Sequence, residues 1–218
     1  MQSHQIKFPQ TAHYYTLGTA PTQCQHLLFV LHGYGQLASQ MIYKFDQLEE
    51  GYLVVAPEGF SRFYWNERKG IVGASWMTKL DRLAEIEDYT NYLQHLFYQF
   101  KAQIPAATPI TVLGFSQGGA TAVRWLERLH PPIEHLLLWG AGFPEDLNYQ
   151  PQLEYWNNKG LHLVQGRQDE YLTQKRLQKQ VSFLQQQGLA VQTHWYEGGH
   201  VIDRRVLSQI LAKLETSI

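Results

Sequence analysis

Apolar positions in this chain fall into two rhythms. Continuous apolar runs occur at 26–31 (HLLFVL), 52–56 (YLVVA), 110–113 (ITVL) and 135–139 (HLLLW). The strand-like runs 160–164 and 191–196 follow. Runs this short, rich in Leu and Val and bounded by Gly or Pro, predict strands buried on both faces of a parallel sheet. Between them, apolar residues recur at steps of three and four, which predicts helices. Met41, Ile42, Phe45 and Leu48 give one, ending at Gly51; Leu83, Ile86, Tyr89, Leu93, Leu96 and Phe100 give a long one over 81–103. Further helices are predicted over about 118–130, stopped by Pro131-Pro132, and about 171–187, stopped by Gly188; a closing helix carries Val206, Leu207, Ile210, Leu211 and Leu214. Loose alternation through Ile6, Phe8, Tyr14, Tyr15 and Leu17 predicts an edge hairpin at 5–17. Residues 143–159 read as mixed and loop-like. Residues 57–80 read as the longest irregular stretch, and their aromatic load argues for a functional loop over a disordered one.

Strands alternating with helices predict an α/β fold: one domain over 1–218, a mainly parallel sheet, and helices on both faces in three layers. Ligands in such folds meet the loops at the carboxyl ends of the strands. A hydrophobic fraction of 44% fits a globular chain, and a net charge of −1 leaves no electrostatic footprint for nucleic acid. No apolar run approaches the ~18 residues of a membrane span, and MQSHQIKFPQT lacks the layout of a signal peptide. With one cysteine, Cys24, no internal disulfide can form, so a cytoplasmic setting is expected. A homodimer is compatible with the sequence.

Chemistry concentrates on Gly114-Phe115-Ser116-Gln117-Gly118, where a strand runs straight into a helix. This is the G-x-S-x-G nucleophile elbow, whose turn presents the serine hydroxyl at a helix N-terminus. A serine needs a histidine to take its proton and a carboxylate to orient that histidine. Of ten histidines, His200 is the best placed, behind two glycines after the last strand. Asp169 follows the preceding strand behind Gly166, with Glu170 and Glu197 as alternatives for the acid. The order Ser116, Asp169, His200 is the one expected when an elbow serine comes first. An oxyanion hole would draw one N–H from Gln117 and one from Tyr34, in the His32-Gly33-Tyr34-Gly35 loop. His32 itself is expected to hold backbone groups rather than move protons. Trp65, Trp76 and Met77 are expected to line an apolar acyl pocket, although packing against the long helix would explain them nearly as well. Cys24 has no elbow and no histidine partner, so an inert thiol is expected. No ligand spacing indicates a metal, the glycines form neither a dinucleotide fingerprint nor a P-loop, and no cofactor is expected.

LHGYG, GFSQGGA, GRQDEY and GGH, in this order over roughly 26–210, resemble the phospholipase/carboxylesterase group of α/β-hydrolases. That group includes bacterial carboxylesterases and acyl-protein thioesterases. The resemblance implies an α/β-hydrolase fold without a large lid, the triad Ser116, Asp169 and His200, and oxyanion donors at Tyr34 and Gln117. The family's Trp-aromatic-Asp motif reads here Trp76-Met77-Thr78, keeping only the tryptophan. The expected activity is hydrolysis of small to medium apolar carboxylic esters through an acyl-enzyme. Two other readings stay open: a thioesterase on the same machinery, and a non-catalytic binding protein of hydrolase fold.

Overall fold

A computed structural model describes residues 1–215. In chain order it contains β1 (Tyr14–Gly18), β2 (His26–Leu31), α1 (Ala38–Ile42), β3 (Tyr52–Pro57), β4 (Ser61–Asn66), β5 (Ile71–Ser75), α2 (Arg82–Lys101) and β6 (Ile110–Phe115). There follow α3 (Gln117–Leu129), β7 (His135–Trp139), α4 (Leu153–Asn157), β8 (Gly160–Gly166), α5 (Gln174–Gln186), β9 (Gln192–Tyr196) and α6 (Arg204–Glu215). Seven strands form one sheet in the order β1-β3-β2-β6-β7-β8-β9. Every pairing in it is parallel except that of β1 with β3.

The continuous apolar runs are explained by two cores, one on each face of this sheet. Along β2, Leu27, Phe29 and Leu31 face one core with Leu93 and Phe97 of α2 and Val123 and Leu126 of α3. Leu28 and Val30 face the other, with Met41 of α1 and Leu207, Ile210 and Leu211 of α6. The result is the three-layered α/β-hydrolase arrangement. Among the described residues, no helix is long and apolar enough to cross a membrane.

Three expectations are corrected. No hairpin forms over 5–17: only β1 is a strand, and Ile6 and Phe8 before it are exposed. Alternation there was too loose to give one buried face. Residues 57–80 are not irregular: β4 and β5 pair antiparallel from Ser61↔Ser75 to Asn66↔Ile71, joined by a 3-10 turn at Glu67–Lys69 and by Gly70 at φ 64°. Most of β4 lies in solvent, and β5 is buried only over Gly73-Ala74-Ser75, residues too small to read as an apolar run. Within 143–159, a 3-10 turn and the short α4 put Trp156 into the core.

The topology fixes which loops meet. With β2, β6, β7, β8 and β9 parallel and adjacent, the segments after their carboxyl ends gather along one edge: 32–37, Ser116, 140–142, Asp169 and His200. The hairpin joins them, because Gly35 donates its N–H to Ala74 O (2.9 Å) and Ala74 donates to Gln36 O (3.3 Å).

Candidate active site

Ser116 has φ 53° and ψ −119°, a backbone region that non-glycine residues occupy only under constraint. The constraint is the close approach of α3 to β6 and β2. A Cβ on Gly114 would lie 2.4 Å from Gly119 Cα, and one on Gly118 would lie 2.2 Å from Leu31 O, so both positions require glycine. Ser116 N–H donates to Trp139 O on β7 (3.0 Å), tying the turn to the sheet.

His200 Nδ1 lies 2.7 Å from Asp169 Oδ2. The other carboxylate oxygen, Oδ1, accepts the N–H groups of Tyr171 (2.8 Å) and Leu172 (3.0 Å). Burial alone would raise the Asp169 pKa. The hydrogen bonds from Leu172, His200 and Tyr171 outweigh it and hold the carboxyl below the usual range. The His200 ring packs against Phe115 and Tyr171, each with its centroid 4.8 Å away. Ser116 lines the same cavity as His200, but among the described residues its Oγ makes no hydrogen bond to the ring. Such contacts are often long until substrate is bound. Of the alternative acids, Glu197 is exposed and pairs with Arg167 (3.0 Å), while Glu170 lines the cavity but, among the described residues, makes no ion pair or hydrogen bond with His200.

Gln117 opens α3, where an N–H has no partner within the helix. Among the described residues neither its amide nor that of Tyr34 donates a hydrogen bond, so both are available to an anion. The loop carrying Tyr34 is braced from several sides. Gly33 N–H donates to Gln36 Oε1 (2.9 Å). His32 is fully buried; its Nε2 accepts Gly59 N–H (3.0 Å), which leaves the ring proton on Nδ1, 2.8 Å from Gly33 O. Burial pushes its pKa down, and with both nitrogens engaged on backbone the ring acts as a brace, as expected. The Gln117 side chain adds a tie that the sequence reading missed: its Nε2 donates to Met77 O (2.9 Å) and its Oε1 accepts Trp76 N–H (3.2 Å). It holds the end of the β4–β5 hairpin against the elbow.

The cavity above Ser116 measures about 720 Å³. Of the three residues expected to line it, only Trp65 does. Trp76 is a correction. It is 2% exposed, donates from Nε1 to His32 O (2.9 Å), and packs edge-on against Tyr89 of α2, so it belongs to the core. Met77 likewise packs against that core instead of lining the cavity. Lining residues missed from sequence are Gln36, Glu170, Tyr171, Leu172, Val201 and the segment 140–142. Most follow the carboxyl ends of β7, β8 and β9, so the rule that located Asp169 and His200 could have found them.

The fold and the elbow together define an α/β-hydrolase. Residues 22–206 match the family model "Serine hydrolase (FSH1)", and the chain belongs to that family. No curated protein matches the sequence. Among solved structures, acyl-protein thioesterase 2 of Zea mays is similar at TM-score 0.74 and 16% identity, over 94% of this chain and 99% of that one. A carboxylesterase from Mesorhizobium loti is similar at TM-score 0.67 and 20% identity, over 92% of this chain and 94% of the other. A phospholipase/carboxylesterase from Dyadobacter fermentans gives TM-score 0.63 and 18% identity, over 94% and 99%. At these identities the likeness is one of fold. With the family match, it bears out the resemblance to the phospholipase/carboxylesterase group.

Proposed function

We propose that this serine hydrolase cleaves carboxylic esters through an acyl-enzyme, with Ser116 as nucleophile, His200 as base and Asp169 as its orienting acid. The observation that carries this reading is the 2.7 Å contact between His200 Nδ1 and a buried Asp169 carboxylate, with His200 and Ser116 lining one cavity. The contact fixes the ring so that Nε2 is the free nitrogen. That nitrogen takes the Ser116 proton as Oγ attacks the ester carbonyl, and the tetrahedral oxyanion is met by the amides of Tyr34 and Gln117. His200 then returns the proton to the leaving alcohol. Water, deprotonated in the same way, releases the acid and restores Ser116. The substrate is a small-molecule ester, and the setting is cytoplasmic, in keeping with a single buried free thiol at Cys24.

A fluorophosphonate probe should label the wild type and leave Ser116→Ala unlabelled. The same substitution should cut p-nitrophenyl ester hydrolysis at least about a thousandfold. A wild type that takes no label would favour the binding-protein reading. Faster cleavage of a thioester than of its matched oxygen ester would move the assignment to thioesterase.

A further inference from the structure

We propose that the site selects esters whose acyl group ends in an uncharged aromatic ring, and that Tyr34 and Trp65 form the wall that recognises it. The proposal rests on the acyl-enzyme reading above and names its substrate class. Tyr34, Trp65 and Tyr171 are 52%, 58% and 62% exposed, a large aromatic area in water. Of the exposed aromatics, only these three line the cavity that holds Ser116, among the described residues. Their placement follows from the sheet. Because β6, which delivers Ser116, lies between β2 and β7–β8, Tyr34 and its neighbour Trp65 flank the serine on one side. Tyr171 flanks it on the other.

Tyr171 lies against His200, which must reach the leaving alcohol, so the Tyr34 side is the one left for the acyl group. That wall is built to hold its shape. The Tyr34 ring stacks on Phe63 at 5.3 Å and 27°, and Trp65 meets Tyr34 at 5.8 Å and 64°. Trp65 is also packed onto Gly35, where a Cβ would come within 2.6 Å of its ring. The segment Gly140-Ala141-Gly142 brings nothing larger than a methyl group to the lining. A flat ring can cover such faces edge-on or in offset stacking, whereas a linear chain covers only a strip of them. Charge narrows the class further. Among the described residues lining the cavity there is no lysine or arginine, and Glu170 places a carboxylate there. An anionic acyl group would therefore meet no partner and one like charge.

The test compares p-nitrophenyl phenylacetate with p-nitrophenyl octanoate, which share a leaving group and are matched in acyl carbon number. The phenylacetate should be preferred in kcat/KM by roughly three- to tenfold, the range expected of one good aromatic pair. The preference should vanish in Trp65→Ala and persist in Trp65→Phe. Equal or better turnover of octanoate, or a preference that survives Trp65→Ala, overturns the proposal. Hydrolysis of p-nitrophenyl acetate separates the two readings. If the wild type fails there, the catalytic reading falls, and the wall is judged by saturation-transfer NMR with methyl phenylacetate. Ring contacts present in the wild type and lost in Trp65→Ala support the wall, and their absence from the wild type overturns it.

Discussion

Asp169 shows how much one side chain can be asked to do. Its carboxylate accepts two backbone N–H groups through Oδ1 and the His200 ring through Oδ2. Replacing it with asparagine keeps the shape but changes what Oδ2 presents to Nδ1, so the ring is no longer fixed in the useful tautomer. Asp169→Asn should therefore lower kcat by roughly a thousandfold or more, measured with a p-nitrophenyl ester, while fluorophosphonate labelling slows in parallel. The pairing of Asp169 with His200, and the shared cavity of His200 and Ser116, could be anticipated because the chemistry restricts residue type and place: a serine between glycines, an acid and a histidine after later strands. The cavity wall was not legible in the same way. Trp65 and Trp76 are equally apolar and lie in one hairpin region, yet the first faces the cavity and the second is buried against His32 and Tyr89. Which way a tryptophan points depends on packing with α2, and no local pattern encodes that.

Between elements, three adjacent strands bring together His135 of β7, His162 of β8 and His194 of β9. His162 Nδ1 lies 3.1 Å from His194 Nε2, and His162 Nε2 lies 3.4 Å from His135 Nδ1. Burial, followed by the neighbouring histidines, drives His162 down to about 4, and burial also lowers His135 and His194. Glu134 beside His135 opposes that shift, whereas Lys213 beside His194 adds to it. The folded chain thus keeps His162 neutral where the unfolded chain would protonate it. Above pH 6.5 both states are neutral and the residue has no effect on stability. As pH falls from 6.5 towards 4, only the unfolded state gains the proton, and His162 costs up to about 3 kcal/mol. Thermal melts should therefore show Tm falling across this window, and His162→Gln should flatten the slope. Most elements could be read from the sequence because the sheet is covered on both faces, which leaves unbroken apolar runs. The β4–β5 hairpin could not, since β4 is mostly exposed, the buried end of β5 is only Gly73-Ala74-Ser75, and its ties to the 33–37 loop and to Gln117 are long-range hydrogen bonds.

At the scale of the whole molecule, the two cores set stability and the strand order sets function. Trp125 of α3 is fully buried, 5.7 Å from Phe97 and 6.0 Å from Phe29, with its Nε1 donating to Gln94 (2.7 Å). Trp125→Ala removes that volume from the centre of the core and should cost about 3–5 kcal/mol. Differential scanning calorimetry should register a Tm lower by roughly 10 °C. Trp125 does not line the cavity that holds Ser116, so cooled samples that remain folded should keep most of their specific activity. In the two proposals above, Tyr34 joins both halves of the reaction in one residue. Its backbone N–H is assigned to the developing oxyanion, and its ring is part of the aromatic wall. A ligand that seats well on the ring therefore steadies the donor, and one that seats badly leaves it loose. Discrimination of this kind is expressed as the bond breaks rather than as the ligand arrives. A poor ester could occupy the cleft readily and still be turned over slowly.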